Sequence, residues 1–509
     1  MKTNNKLIIV GLILFVSLTA VSATDIINDD SNAVAVETPQ VDQTNNMEYV
    51  QESVQETDNN DDTTSATVTN SNYNQVMSSL SSYDTITFDD TFTGKTMNIN
   101  SPITITATST AKFTNSQISI TANGVSISNL NIENTNVAGS VITATDVNNI
   151  ILNSNNITTT NTNNYQKAIG ITFNNVNNSN ITNSNITVSG VPQNLGWDNS
   201  TGVWLSESQV TGIYMSEVNY INVTNNYLIV TNSTDPIDDN TTIEGITLKT
   251  NSNYANITDN TIEINGSNYV YAISLSNVVK HTNISNNNIL MLSNNYLNGI
   301  QLDKTKHSIV YNNTILGSTI PESTYVPSFE RVAYGIVVTT SSFPPIYGES
   351  TNNTIRANSI DLDATIVYAI ELYLANDTII DSNTVIATGN ITIGIGLYNS
   401  SNNIIKENDI ELDAHNKTIN TQFYEQIPKT STGIIIVGNA SSTNNNVTEN
   451  IITVNDDQSR SDILYSIIVR ATGNSITDNL LESNAIGTTY PLQQDASVDA
   501  DNGNTVNNP

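Results

Sequence analysis

The chain has 509 residues, no cysteine, and 48 acidic against 16 basic side chains, for a formal net charge of -32. A disulfide framework is excluded, and so few Lys and Arg argue against nucleic acid or anionic lipid as partners. Asn, Thr, Ser and Ile dominate, a composition poor in helix formers and rich in β-branched residues.

Lys2 and Lys6 precede an uncharged stretch from Leu7 to Val21, and Val21-Ser22-Ala23 supplies small residues for cleavage. Residues 1–23 therefore read as a signal peptide, the apolar stretch being short of the ~20 residues a membrane span needs. The mature chain is expected to be exported, secreted or held at the cell surface, with no membrane insertion after cleavage. Residues 24–70 are acidic, polar and nearly free of aromatics, and read as a disordered linker. Tyr73, Val76, Met77 and Leu80 come next with helical spacing, just before the strand-like run Thr85 to Phe88. This predicts a short amphipathic helix that caps the first coil of the strand-rich region.

From there a word recurs: Ile-x-x-Asn-x-Ile. Its Asn is Asn155, Asn226, Asn260, Asn287, Asn313, Asn358, Asn383, Asn408, Asn450 and Asn479, with Leu130 and Ser184 filling the slot in two further copies. Asn358, Asn383 and Asn408 are 25 residues apart, and the longer intervals hold insertions. A second word precedes most copies: small-Ile-x-apolar, as in Gly245-Ile246-Thr247-Leu248 and Ala272-Ile273-Ser274-Leu275. Short alternating segments at such a period mark a solenoid of strands. In Ile257-Thr-Asp-Asn260-Thr-Ile262-Glu-Ile264 the isoleucines point inward, each worth roughly 1.5–3 kcal/mol on burial. Asp259-Asn260 must turn the chain, and Asn tolerates a left-handed backbone. One coil cannot hide these side chains, but stacked coils can, with ladders of Ile and of Asn. Asn287→Val is thus expected to strain the bend and break the ladder, at about 1–3 kcal/mol.

The fold class is all-β: a right-handed parallel β-helix of about 12 or more turns over residues 71–491, followed by a polar tail, 492–509. A leucine-rich repeat would need Leu at most apolar positions and one strand per repeat; here Ile and Val dominate and two or three strands fit each period. The last clear turn is Ile476 to Leu481, and no cap comparable to the N-terminal one comes after it.

The repeat words resemble those of the right-handed β-helices of the pectate-lyase-like superfamily, and especially the adhesin-like surface proteins of methanogenic archaea, over about residues 83–490. The resemblance implies a polysaccharide or cell-surface glycan as partner and leaves the activity open, since lyases, hydrolases and adhesins share such coils. Pectate lyases resembling this chain use an Arg base and Ca²⁺ bound by Asp. Arg356 lies inside a repeat word and reads as a solvent-facing bend residue. Polygalacturonase-like hydrolases use Asp-Asp with His-Gly and Arg-x-Lys, whereas His281, His307 and His415 are followed by Thr, Ser and Asn.

Acidic residues form one recurring group. Asp361-Leu-Asp363 and Glu411-Leu-Asp413 occupy equivalent slots two turns apart, about 10 Å, and Glu371 lies on a neighbouring strand. Such oxygen ligands could hold a Ca²⁺ or serve as an inverting carboxylate pair, although a solvated acidic face is the simpler reading. No other cofactor is implied. The inserts gather mostly at one corner, roughly Gly190–Val210, Asn232–Ile243, Gly317–Val332 and Ala414–Thr430, with Ser341–Ser350 at another. They carry Trp197, Tyr325, Phe329, Phe343, Tyr347, Phe423 and Tyr424, aromatics suited to stacking on sugar rings if exposed, or else to packing back on the rod and covering it. Sequons such as those at Asn156, Asn222 and Asn446 suit an exported glycoprotein. The reading favoured is a non-catalytic, adhesin-like scaffold; the alternatives are a carbohydrate-active enzyme and a passive surface coat.

Overall fold

The computed structural model describes residues 64–163, 166–191, 196–198, 203–205, 210–232, 242–266, 268–319, 331–340, 349–414, 429–438, 442–456, 461–485, 498–500 and 503–507. The expected signal peptide and most of the acidic linker lie outside these residues. No helix among them is long and apolar enough to cross a membrane.

Among the described residues 33 strands share one sheet and 14 another, and all are stacked in parallel coil upon coil. The coil beginning at Tyr269 shows the plan. A long strand, Tyr269–Ser276, is followed by the short strands Val279–Lys280 and Asn283–Ser285 of the same sheet, then by Asn288–Ser293 of the second sheet. Left-handed residues mark the bends between them: Asn277, Val278, His281 and Asn286. The chain leaves the second sheet and returns to the next long strand at the corner where most inserts occur. The core is a set of inward ladders, such as Ile246, Ile273, Ile300, Ile336 and Ile370, all fully buried.

The ladder asparagines are buried and hydrogen-bonded along the stack. The backbone N–H and Nδ2 of Asn260 both donate to Asn287 Oδ1 at 3.0 Å, and Asn287 donates likewise to Asn313. Asn287 Nδ2 also donates to the carbonyl of Ile257 in the coil before. The same chain of bonds continues through Asn358, Asn383, Asn408, Asn450 and Asn479. Asn155 opens the series, bonded to Leu130 and Ser184, and Ser184 donates to Asn226. The expected left-handed bend, however, falls one residue earlier. Asp259, Asn286, Asn312, Ala357, Ser382 and Glu407 have φ of 53–57°. Asn is therefore retained at the slot for its two-ended amide, while the bend itself accepts Ala357 and Glu407.

The helix Tyr73–Met77 forms where the spacing placed it and buries Tyr73 and Val76, with Leu80 buried just beyond. Tyr73 packs on Phe88 and Phe92, with ring centroids at 6.4 and 5.7 Å. The coil begins earlier than residue 71, because Ser65–Val68 pairs with Thr85–Phe88. Two coils, containing the strands Thr91–Thr93 and Lys112–Thr114, precede the first Asn-type slot at Leu130. Strands also occur within the stretch read as a polar tail: Val498–Ala500 and Thr505–Asn507 continue the long sheet. The reason is local. Gly503-Asn504-Thr505-Val506 repeats Gly473-Asn474-Ser475-Ile476, and Asn474 N–H donates to Asn504 Oδ1 at 2.9 Å.

Candidate functional site

Each long strand bends at its small residue, the column Gly170, Gly212, Gly245, Ala272, Gly299, Gly335, Ala369, Gly394 and Gly433. A Cβ on Gly170 would sit 2.6 Å from the carbonyl of Gly212 and 2.6 Å from Ile186 Cγ2, so the backbone here lies tight against the next coil and the second sheet. Inward residues flank the bend on both sides, for example Val270 and Ile273. Outward residues therefore flank it too, and the outer face along the bend is lined by two rows. One row reads Glu244, Tyr271, Asn298, Tyr334, Tyr368, Ile393; the other Thr247, Ser274, Gln301, Val337, Glu371, Gly396. Val337 and Ile393 are buried yet stand apart from the core cluster, as expected of side chains packed on the outer side of the strands.

Tyrosines dominate this face. Tyr296 lies 5.2 Å from Tyr269, 5.7 Å from Tyr271 and 5.4 Å from Tyr334 by ring centroids, and Tyr334 stacks on Tyr368 at 5.1 Å and 9°. All are partly buried, none fully closed off from solvent. Tyr398 joins them from the far side. Its ring lies over Gly396, where a Cβ would meet Cε2 at 2.8 Å, and Gly396 is the register partner of Glu371.

Glu371 thus sits among Tyr296, Tyr334, Tyr368 and Tyr398, each of which feels its charge. Burial pushes its carboxyl up to about 7. No Lys or Arg among the described residues is paired with it. Burial, with the nearby acid, also raises the phenols of Tyr296, Tyr334, Tyr368 and Tyr398. These tyrosines stay neutral donors at any ordinary pH, and none is a ready base. Glu244, nearly inaccessible beside Tyr271, leaves Oε2 without a hydrogen-bond partner among the described residues.

The raised carboxyl has a consequence for stability. The folded chain holds the Glu371 proton up to about pH 7, whereas the unfolded chain releases it near the ordinary glutamate value. Folding therefore loses stability as pH rises between these two values, and the loss is complete above the upper one. Glu371→Gln is expected to stabilise the protein at pH 8 by about 1–3 kcal/mol and to change little at pH 4, as read from denaturation at both pH values.

The other acids lie elsewhere. Asp361 and Asp363 belong to the second-sheet strand Ser359–Asp363, and Glu411 and Asp413 to Asp409–Ala414. Ile386 and Thr388 stand between them in register. Asp361 and Glu411 are exposed, and Glu411 accepts a bond from Asn455 Nδ2 at 3.1 Å. Glu371 is on the next strand of the coil of Asp361, but on the other sheet, so the five acids do not converge. Among the described residues no group of three or more His, Asp or Glu is placed to hold a metal, so the Ca²⁺ expectation finds no cage there. Arg356 is half-exposed and pairs with Asp381 at 3.2 Å.

Of the insert aromatics, Trp197 lies on Gly196–Asp198, which pairs antiparallel with Val203–Leu205 and sets Trp197 opposite Trp204. Tyr325, Phe329, Phe343, Tyr347, Phe423 and Tyr424 lie outside the described residues. Residue-by-residue reading passed over the tyrosine rows and Trp204. The signal was present as Tyr-small-Ile, in Tyr271-Ala-Ile, Tyr334-Gly-Ile and Tyr368-Ala-Ile.

No family model and no curated protein matches the chain. Solved structures do. The chain is similar to the catalytic domain of a GH87 alpha-1,3-glucanase at 11% identity and a TM-score of 0.37, over 88% of this chain and 70% of that one. It is similar to an exopolygalacturonase from Thermotoga maritima at 8% identity and 0.31, over 78% and 87%. The Siphovirus 9NA tailspike receptor binding domain matches at 10% identity and 0.37, over 87% and 76%. At these identities the likeness concerns the fold alone.

Proposed function

We propose that the chain is an exported, cell-surface β-helix that binds polysaccharide along the tyrosine-lined face of its long strands, an adhesin-like scaffold of the kind met in methanogenic archaea. One observation carries this reading: partly buried tyrosines succeed one another along the coil axis, from Tyr269 and Tyr271 through Tyr296 and Tyr334 to Tyr368 and Tyr398. Aromatic rings with polar tips offer a large, stiff apolar surface and a hydrogen-bonding edge, which suits the two faces of a sugar ring. A row several coils long suits a polymer better than a small molecule. In chain order the segments carrying Trp197, Tyr325, Phe329, Phe423 and Tyr424 fall between second-sheet strands and the long strands that follow them, and their aromatics are further candidates for the same ligand. Phe343 and Tyr347 belong to an insert at another corner.

The test is retention of the mature chain on a polysaccharide panel, with new reducing ends and unsaturated products followed in parallel. Retention without products is the expected result, and Tyr334→Ala with Tyr368→Ala should weaken it about tenfold or more. Release of products would instead make the protein a carbohydrate-active enzyme. Failure of every polysaccharide to bind would leave the surface-coat reading.

A further inference from the structure

The tyrosine face is not uniform along its length. At its Glu371 end, four phenol rings from four successive coils surround one carboxyl. Tyr334 and Tyr368 are stacked nearly parallel, whereas Tyr296 is tilted by 42° against Tyr334. Tyr398 closes the group by leaning over Gly396, and it can do so only because that position lacks a Cβ. The immediate row neighbours of Glu371 are Val337 and Gly396. The carboxyl is therefore ringed by aromatic and apolar groups and is matched by no described cation. A carboxylate bordered by phenol rings and matched by no described cation has a chemical complement in a soft, poorly hydrated cation. Ring quadrupoles attract it over their faces, within about 6 Å of the centroids, and the carboxylate neutralises it. The chain's net charge of -32 favours the same sign of ligand.

We propose that Tyr296, Tyr334, Tyr368, Tyr398 and Glu371 form a binding site for a substituted ammonium group. The group is either borne on a glycan, as on an N-methylated amino sugar, or presented by a small ligand of the choline type. This deepens the polysaccharide reading by naming the chemistry at one point of the face, but the site does not need the ligand to be a polymer. Only ionised Glu371 serves it. The phenols stay neutral, and His281 and His307 stack on each other at a different bend of the coil, so the binding should titrate as a single group. Affinity is full above the Glu371 midpoint and falls as pH drops below it.

The experiment measures choline binding to the mature chain by calorimetry and ligand-observed NMR at pH 8.5 and pH 5.5, against 3,3-dimethyl-1-butanol, its uncharged isostere. Choline is permanently charged, so any pH dependence belongs to the protein. The expected result is on the order of tenfold weaker choline binding at pH 5.5 and no binding of the isostere. Glu371→Gln should abolish the pH dependence while leaving the fold intact, and Gly396→Ala should weaken binding by displacing the Tyr398 ring. Equal binding of choline and isostere, pH-independent binding, or no binding in wild type would each overturn the proposal. N-trimethylated glucosamine oligomers and N-acetylglucosamine oligomers then separate the sources: retention of the first alone places the ammonium on a glycan. If choline binds and no polysaccharide does, the polymer reading fails and this site stands. If neutral polysaccharides bind alike at both pH values and choline does not, this site fails and the polymer reading stands.

Discussion

Asn287→Val should destabilise the protein by about 3–5 kcal/mol, more than a strained bend alone would cost. The side chain is buried, and its amide works in both directions: Oδ1 accepts two bonds from Asn260, and Nδ2 donates to Ile257 and to Asn313. Valine fills the space but leaves the Asn260 N–H and the Ile257 carbonyl without that partner, each in a site closed to water. Desolvated groups left unpaired cost more than the bonds themselves. The neighbouring Asn286→Ala is the contrast. It carries the left-handed bend, with φ 56°, and is exposed. Its expected cost is about 1 kcal/mol, since Ala357 already occupies that position in another coil at φ 54°. Denaturant titrations of the two variants decide the matter. Equal losses would return the ladder Asn to the role of a bend residue.

Phe92→Ala should act differently, by about 3–5 kcal/mol confined to one end. Phe92 is fully buried, with ring centroids at 5.7 Å from Tyr73, 5.1 Å from Phe88 and 5.0 Å from Phe113. These rings seal the first coils under the cap helix. In a solenoid each coil rests on its neighbours only, so the loss should release residues 64–115 while the coils beyond Asn155 keep their protection. Hydrogen exchange read segment by segment checks this. Uniform loss of protection along the rod would show the coils to be more cooperative than nearest-neighbour packing allows.

The two ends of the rod also differ from its middle in how plainly the chain spells them. From Leu130 onward the coils repeat their word, with Leu130 and Ser184 the departures at the Asn slot, because ladders favour the same residue at the same slot, and the fold could be read from the period. The coils before it use Phe88, Phe92 and Phe113 in place of Ile and lack the Asn, so no period announced them. Gly503-Asn504 escaped notice for the opposite reason: a single repeat of a short word in a polar stretch looks like composition. The Asn slot was found but assigned the wrong labour, since a sequence shows which residue recurs and not which neighbour carries the positive φ. The acids were grouped by equivalent position in the coil, which brought Asp361, Asp363, Glu411 and Asp413 together on the second sheet. The chemistry of Glu371 depends on what surrounds it across four coils, at separations no short motif spans.

The asparagine column also has a direction. From Asn226 to Asn450 each main-chain N–H and one hydrogen of each carboxamide point toward the following coil, and each Oδ1 faces back. A half-built stack therefore ends in a pair of unmet donors, and the next stretch of polypeptide to arrive carries the oxygen that meets them. The column is thus polar: the two faces of a coil are not interchangeable, one offering donors and the other an acceptor, so neighbouring coils fit in one orientation only.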